Sequence, residues 1–244
     1  MLRVAWCVTG AGCFLIESIE LLERLADRGV EITVYVSRAA EDVLNMYNLD
    51  HKLSSLQRRF PNVDIVHESK ESPSFPTAVR VVMGEYGIVV VAPTTLNTLA
   101  KITCGICDSL VTVVVSYALR LRVPVIVLAP DVVSPPGFEL PIHIDFSRCQ
   151  SCNARCAAAS SCPTGALVYV PQLAAPRPYP SRCSLCGRCV EACPNGAIAF
   201  RKKVSVHSHP LAARLVETAR SMGILIVSSP DELQRHVLSR IGLK

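Results

Sequence analysis

Short apolar, β-branched runs alternate with segments of helical periodicity through the first 130 residues of the chain. The apolar runs predict strands over 2–8, 31–36, 63–66, 87–92 and 123–128. Between them, apolar residues recur every three or four positions and predict helices over 12–27, 39–47, 95–107 and 110–119. Strands that alternate with helices indicate a parallel sheet, and a fully apolar run such as 87–92 is typical of a strand buried on both faces. We therefore predict an α/β fold with a Rossmann-like or flavodoxin-like parallel sheet.

The same alternation returns near the end of the chain, after a segment of different composition. Helices are predicted over 210–222 and 230–241, and a strand over 224–227. The intervening segment begins with a proline-rich link at 130–141 and holds a looser stretch at 171–180, which its composition predicts to be an exposed connector. We predict three domain segments, 1–140, 141–203 and 204–244, of which the third completes the first and the second is an insertion. A free-standing C-terminal appendage is the alternative.

Composition and charge exclude several classes of protein. A chain of 244 residues with 50% hydrophobic residues can bury a sizeable core, and its net charge is only +5. The basic group at 201–203 is expected to be a solvated face rather than a nucleic-acid patch. The apolar stretch 110–130 contains Arg120 and Arg122, each of which would cost about 2.5 kcal/mol or more at a bilayer centre. With no signal-peptide pattern at the amino terminus, we expect a cytoplasmic protein with no membrane and no nucleic-acid partner.

Eight of the 12 cysteines form two runs inside the inserted segment. The runs are Cys149, Cys152, Cys156 and Cys162-Pro163, then Cys183, Cys186, Cys189 and Cys193-Pro194. The second run has the C-x2-C-x2-C-x3-C-P spacing of bacterial two-cluster ferredoxins, in which the fourth cysteine ligates the other cluster. This rule assigns one [4Fe-4S] cluster to Cys149, Cys152, Cys156 and Cys193, and the other to Cys183, Cys186, Cys189 and Cys162. The predicted insertion is therefore an α+β two-cluster ferredoxin module.

The first run departs from that spacing, and two alternatives to clusters remain. It has one extra residue between Cys152 and Cys156 and two between Cys156 and Cys162, so its loop must bulge. An internal repeat supports the pairing, because Cys-Pro-Thr-Gly-Ala at 162–166 matches Cys-Pro-Asn-Gly-Ala at 193–197. Paired C-x2-C motifs also bind zinc, but zinc does not explain the third cysteine of each run. Disulfides are the other alternative, although the chain lies below the roughly 8% cysteine content of disulfide scaffolds.

The residues that follow the predicted strands indicate a second ligand. Open parallel sheets bind ligands beyond the carboxyl ends of their strands, where the strand order reverses. The first strand is followed by Gly10, Ala11, Gly12 and Cys13, where glycines allow close backbone approach and a helix offers free amides to an anion. The full G-x-G-x-x-G motif is absent. Ser37-Arg38 stands where an NAD-binding domain usually has an acid, which disfavours NAD but leaves NADPH open.

A third loop carries a resemblance to a known family. Pro93-Thr94-Thr95-Leu96-Asn97-Thr98 follows the buried strand, and Thr94 or Thr95 could cap the next helix. The longer string VVVAPTTLNTLAKITCGICDSLVT resembles the Pro-Ala-Ser-Ala-Asn-Thr region of the homo-oligomeric flavin-containing cysteine decarboxylase superfamily. VTGAGCFLIES and YVSRAA are similar to the first two flavin-contacting loops of that superfamily. The resemblance covers about residues 1–130 and the C-terminal tail.

This resemblance implies FMN, bound noncovalently at a subunit interface of a trimer or a multiple of trimers, and makes 1–140 the FMN-binding domain. Gly10, Ala11, Gly12 and Cys13 would lie along the flavin or its phosphate, and Ser37 would donate a hydroxyl to the phosphate. The ribityl-phosphate side or ring edge would be contacted by Pro93, Thr94, Thr95, Asn97 and Thr98. Asp108 is expected to order its loop rather than to touch a substrate.

The chain also departs from the decarboxylases. It lacks their Pro-x-Met-Asn-x-x-Met segment, and His67, the nearest candidate for a catalytic base, is expected to be structural. Decarboxylation is therefore not expected. The fusion of a flavin domain with two clusters resembles instead the archaeal dihydromethanopterin reductase and archaeoflavoprotein group.

Membership of that group implies an oxidoreductase that takes electrons from a ferredoxin-level donor, through two clusters and FMN, to a dihydropterin such as dihydromethanopterin. The sequence names no catalytic residue and no proton donor. An electron carrier between ferredoxin and another redox protein is one alternative, and an NADPH-linked flavin reductase is another.

Four cysteines lie outside the two runs. Cys104 and Cys107 form a C-x2-C on a predicted helix, where we expect core packing rather than a redox pair. Cys7 lies on a predicted buried strand and is expected to be inert. Cys13 would face the flavin as a small apolar neighbour.

Overall fold

The structure is a computed structural model that describes residues 3–129, 138–149, 152, 155–179, 182–204 and 208–242. The chain divides into two compact units. The first contains the described residues of 3–41, 51–129 and 208–242, and the second those of 42–50 and 138–204. Most of the predicted link at 130–141 lies outside the described residues.

Strands and helices alternate along the described part of the first unit. The strands among the described residues are β1 (Val4–Val8), β2 (Ile32–Val36), β3 (Val63–His67), β4 (Ile88–Val91), β5 (Val125–Leu128), β6 (Phe138–Ile144), β7 (Leu167–Val170), β8 (Ala175–Pro178), β9 (Ile198–Val204) and β10 (Leu225–Val227). The helices are α1 (Leu15–Asp27), α2 (Arg38–Met46), α3 (Asp50–Arg59), α4 (Val79–Val82), α5 (Leu96–Thr103), α6 (Leu110–Arg120), α7 (Ala157–Ser160), α8 (Arg188–Glu191), α9 (Ala212–Ser221) and α10 (Pro230–Ile241). Short 3-10 turns cover Glu68–Lys70, Pro76–Ala78 and Pro171–Leu173.

The first unit is built on a six-stranded sheet with the order β10-β5-β4-β1-β2-β3, in which every pair is parallel. Every residue of β1, β2, β4 and β5 is buried, and all of them except Thr33 of β2 are apolar, as suits strands covered on both faces. The strand order reverses between β1 and β4, because the chain runs outward to β2 on one side and to β5 on the other. The predicted Rossmann-like fold is confirmed, and its binding crevice lies beyond the carboxyl ends of β1 and β4.

Helix α5 of this unit ends earlier than predicted, and α3 and α4 were not predicted. Helix α5 ends at Thr103 because Gly105 takes a left-handed backbone conformation with φ of +70°. Cys104 and Cys107 consequently lie beyond the helix and are exposed, so the expectation that they pack in the core is wrong. Helix α3 was not predicted, since it buries only Leu53 and Leu56.

The second unit has a small apolar core between two antiparallel strand pairs. Strand β6 pairs with β9, which brings Ile142 opposite Phe200, and β7 pairs with β8. Ile142, Ile144, Leu167 and Ile198 form this core together with buried cysteines. The expectation that 171–180 is a loose connector is wrong for β8, which forms despite two prolines. Proline is tolerated in β8 because this strand is an edge strand of a two-stranded sheet.

None of the described helices combines the length and apolarity needed to cross a membrane.

Candidate functional site

Two loops at the strand-order reversal are tied together by Thr9. Its hydroxyl donates to the carbonyl of Pro93 over 2.8 Å and accepts the amide of Thr95 over 3.1 Å. The indole of Trp6, on β1, donates to the carbonyl of Ala92 over 3.1 Å. Thr9 is only 2% exposed and Trp6 is fully buried. The loop after β1 and the loop after β4 therefore present one continuous surface.

The residues of the Pro93–Thr98 loop divide into buried and accessible ones. Thr94 is fully buried; its hydroxyl donates to Val91 and its amide to Leu128, each over 2.8 Å. Its hydroxyl thus holds the loop against the end of β4 and its backbone amide holds the loop against β5, and neither group faces solvent. Thr95 caps α5 by accepting the amide of Thr98 over 3.1 Å, and Asn97 is exposed. The accessible groups of this loop come from Thr95, Asn97 and Thr98, since Pro93 is also buried.

The loop after β1 is packed closely against the start of α2. A Cβ atom on Gly10 would lie 2.9 Å from the Cβ of Ala39, so only glycine fits there without movement. Ser37 caps α2 by accepting the amide of Ala40 over 3.1 Å, and its own amide donates to Val8. The hydroxyl proton of Ser37 can still be donated to a ligand. Ala11 is buried, whereas Gly12 and Cys13 are half-buried.

The amino terminus of α1 suits an anion. Phe14 precedes this helix in a left-handed conformation and gives it no side-chain cap. By contrast, Thr95, Ser109 and Ser229 cap α5, α6 and α10 with their hydroxyls. The first amides of a helix have no partner within the helix. In α1 the amide of Leu15 donates to the carbonyl of Gly12, and the amides that follow it can bind a phosphate. The loops around the crevice therefore fit a phosphate-bearing cofactor.

Two further predicted residues have structural partners. The imidazole Nδ1 of His67 lies 3.8 Å from a carboxylate oxygen of Glu41. Burial lowers the pKa of His67 from its ordinary value, against the opposing effect of Glu41. Both oxygens of Asp108 accept from Lys101 Nζ over 2.8 Å, which holds the segment between α5 and α6.

Four cysteines of the second unit line one cavity. They are Cys149, Cys152, Cys156 and Cys193, and the lining also includes Pro176, Asn195 and Ala197. Burial raises the pKa of Cys149, and the nearby thiols of Cys156, Cys193 and Cys152 raise it further. Cys193 belongs to the second run, so its turn crosses to the cysteines of the first.

The other four cysteines form a second group. Burial raises the pKa of Cys183 and of Cys189. The nearby thiols of Cys162 and Cys186 raise both pKa values further. Burial acts in the same direction on Cys162, but hydrogen bonds from Thr164 and from backbone amides outweigh it and lower its pKa. Cys149, Cys152, Cys156 and Cys193 thus lie together, and Cys162, Cys183, Cys186 and Cys189 lie near one another. Their assignment to two clusters stays a prediction. Within the described residues, no three Cys, His, Asp or Glu side chains are arranged for a single metal ion.

Sequence reasoning missed the two residues that organise the crevice. Thr9 lies in the segment VTGAGCFLIES but was given no role, because nothing in the sequence shows which carbonyl its hydroxyl would contact. Trp6 is the single tryptophan of the chain and lies three residues before that loop. An amphipathic side chain of this kind on an otherwise aliphatic strand was the available signal.

Comparison with known protein families explains this combination of loops and cysteines. The model of the flavoprotein family matches residues 1–135, which is more than half of the chain. The chain belongs to the flavoprotein family. A 4Fe-4S binding domain matches residues 176–199 of this flavoprotein, a segment that includes Cys183, Cys186, Cys189 and Cys193.

Similar proteins extend the likeness beyond the flavoprotein domain. The flavoprotein is 37% identical over 241 residues to dihydromethanopterin reductase (acceptor) of Methanosarcina mazei, covering 95% of this chain and 97% of that protein. It is 34% identical over 174 residues to the protein of the same name from Methanocaldococcus jannaschii, covering 68% of each. The crystal structure of Burkholderia xenovorans DmrB in complex with FMN has a TM-score of 0.61 and 24% identity, covering 99% of this chain and 98% of that chain. The latter likeness is one of fold.

Proposed function

We propose that the protein is an FMN and iron-sulfur oxidoreductase that reduces a dihydropterin. Electrons from a ferredoxin-level donor would pass through two [4Fe-4S] clusters to FMN and then to dihydromethanopterin, giving tetrahydromethanopterin. One observation carries this proposal: a single chain joins the flavoprotein crevice to two sets of four cysteines. The M. mazei reductase, similar over nearly its full length, supports the choice of substrate.

The proposed division of labour follows the segments of the chain. Residues 1–140 and 204–244 would form the FMN-binding domain, and 141–203 the two-cluster domain. The two compact units of the structure support this division, although the second unit also includes 42–50. When bound, FMN stores two electrons and a [4Fe-4S] cluster carries one, so the cofactors convert single-electron delivery into two-electron reduction.

The residues of the crevice would bind and orient FMN. The uncapped amino terminus of α1, with Gly10, Gly12 and Cys13 before it, would hold the phosphate or lie along the flavin. The hydroxyl of Ser37 would donate to the phosphate, and Thr95, Asn97 and Thr98 would contact the ribityl side or ring edge. Thr94, Pro93 and Ala11 are buried and would position these groups rather than contact solvent-facing parts of the cofactor.

The eight cysteines would act as thiolate ligands in two crossed sets. Cys149, Cys152, Cys156 and Cys193 would hold one cluster, and Cys183, Cys186, Cys189 and Cys162 the other. Burial, and then the neighbouring thiols, raise the pKa of Cys149 and oppose its ionisation. A cationic iron centre reverses this effect, because it deprotonates a coordinating thiol. The donor set therefore fits the clusters chemically.

We also propose that the protein assembles as a trimer or a multiple of trimers. The resemblance implies FMN at a subunit interface, so a second copy would complete the site. B. xenovorans DmrB, which shares the fold, is described as a cubic protein cage for redox transfer.

An anaerobic assay tests the proposed reaction. Reconstituted full-length protein is mixed with a chemically reduced low-potential donor and with dihydromethanopterin, dihydrofolate or no acceptor. We expect donor oxidation and tetrahydropterin formation with dihydromethanopterin. Flavin that becomes reduced but is reoxidised by neither pterin would reject the reductase and favour an electron carrier.

A further inference from the structure

The two Cys-Pro-x-Gly-Ala turns of the second unit share one backbone arrangement. In the first turn, the amide of Ala166 donates to the sulfur of Cys162 over 3.2 Å. In the second, the amide of Ala197 donates to the sulfur of Cys193 over 3.4 Å. Gly165 and Gly196 precede these alanines with φ of +64° and +57°, a conformation that favours glycine. The shared sequence therefore places one amide on each crossing cysteine.

The variable residue of the turn contacts a different partner in each copy. The hydroxyl of Thr164 lies 3.7 Å from the sulfur of Cys162, in its own turn. Asn195 is longer, and its side-chain amide donates to the sulfur of Cys152, in the other run, over 3.8 Å. A thiolate bound to iron has no proton to donate, so in the loaded protein both side chains must be the donors.

These two sulfurs belong to different sets of four cysteines. Cys152 lines the cavity with Cys149, Cys156 and Cys193, whereas Cys162 is grouped with Cys183 and Cys189. Hydrogen bonds to cluster sulfurs are among the factors that set reduction potential. A donor stabilises the additional negative charge of the reduced cluster and so raises its potential.

We propose that Asn195 and Thr164 are positioning residues that set the potentials of two different clusters. Asn195 acts on the cluster held by Cys149, Cys152, Cys156 and Cys193, and Thr164 acts on the other. This inference rests on the proposed cluster-binding function. Because a different side chain acts on each cluster, a mutation can change the reduction potential of one cluster without changing that of the other.

Purely structural roles are the competing explanation, because asparagine and threonine are both common in turns. A structural role would change stability or cluster content, whereas a tuning role changes potential at constant content. The measurement is therefore a redox titration of reconstituted full-length protein, followed by electron paramagnetic resonance. Signals are assigned to the two clusters with Cys149→Ala and Cys183→Ala proteins, each of which lacks a ligand of one set.

Two near-isosteric variants remove one donor each. Asn195→Leu should lower the potential of the first cluster alone, and Thr164→Val that of the second alone. At a fixed potential, the ratio of reduced to oxidised cluster should fall by up to about tenfold, where tenfold corresponds to ~59 mV for one electron. Each variant serves as the control for the other, because each leaves the opposite cluster unchanged.

A third variant is expected to raise a reduction potential, a result that poor folding would not produce. By the symmetry of the repeat, an asparagine at 164 should reach Cys186, the counterpart of Cys152 in the second run. Thr164→Asn should therefore add a donor to that sulfur and raise the potential of the second cluster. Full iron and sulfide content with unshifted potentials in all three variants would overturn the inference. Wild-type protein that takes up no iron would instead overturn the proposed function on which it rests.

Discussion

The hydroxyl of Thr9 and the carbonyl of Pro93 are joined by a hydrogen bond of 2.8 Å that links the loop after β1 to the loop after β4. These strands are neighbours at the reversal of the strand order, so the bond crosses the proposed flavin crevice at its base. The same hydroxyl also accepts the amide of Thr95, the residue that caps α5. One buried side chain thereby fixes the relative position of both loops.

Replacing Thr9 with valine keeps the shape of the side chain but removes both hydrogen bonds. In this variant the carbonyl of Pro93 and the amide of Thr95 each lose the buried Thr9 hydroxyl as a hydrogen-bond partner. Such a loss costs about 1–3 kcal/mol. We expect a fall of that size in the free energy of unfolding, measured by denaturant titration, together with weaker FMN retention. Thr9→Ser keeps the hydroxyl and serves as the control. Equal losses in both variants would show that the hydroxyl is not the important group.

Gly10 is predicted to be required for packing rather than for flexibility. The added methyl of Gly10→Ala would lie 2.9 Å from the Cβ of Ala39 and should destabilise the protein by about 1–3 kcal/mol. Removing the opposing methyl with Ala39→Gly should restore part of the loss in the double variant, beyond the effect of Ala39→Gly alone. Thermal unfolding of the four proteins of this cycle measures the coupling. Additive effects would contradict a direct contact.

The crossed arrangement of ligands predicts which cluster each cysteine supports. Cys193 follows Cys183, Cys186 and Cys189 in sequence but lines the cavity of Cys149. Cys193→Ala should therefore remove the same cluster as Cys149→Ala, lowering iron from about eight to about four atoms per chain. The double variant should lose no further cluster. If Cys193→Ala instead removed the spectrum that Cys183→Ala removes, the crossing would be disproved.

A buried tyrosine pair predicts a loss of stability in alkali. The hydroxyls of Tyr35 and Tyr86 lie 2.8 Å apart, and burial, followed by this contact, raises the pKa of Tyr35 above its ordinary value of 10.0. Below pH 10, Tyr35 is protonated in both the folded and the unfolded protein. Above pH 10, this tyrosine ionises only in the unfolded chain, so the stability of the fold decreases as pH rises. For one group the slope is up to about 1.4 kcal/mol per pH unit. Urea unfolding between pH 9 and 11 should show a shallower slope in Tyr35→Phe, and an unchanged slope would contradict this assignment.

The sequence was sufficient for the parts of the molecule where one pattern dominates. Strands β1, β4 and β5 are uninterrupted apolar runs and β2 is interrupted only by Thr33, so all four were predicted within two residues at each end. The two crossed cysteine sets stay a prediction from ligand spacing, which follows from the geometry of a cluster rather than from the surrounding fold.

Other parts depend on contacts that no local pattern encodes. The end of α5 was missed because Gly105 interrupts a helical apolar repeat, and this placed Cys104 and Cys107 wrongly in the core. Strand β8 carries two prolines and pairs only because β7 supplies the other side of the hairpin. Thr94 matched a ligand-binding motif, but only the structure shows that its hydroxyl donates to the carbonyl of Val91 at the end of β4.

Reoxidation of the reduced flavin in a single turnover tests the proposed electron path most directly. The reconstituted protein is reduced anaerobically through its clusters with a low-potential donor, freed of excess donor, and mixed rapidly with dihydromethanopterin while flavin absorbance is followed. We predict that the flavin is reoxidised at a rate that rises with pterin concentration, and that one tetrahydropterin forms per two electrons lost. Flavin that stays reduced at every pterin concentration, in protein with full cluster content, would contradict the proposed function.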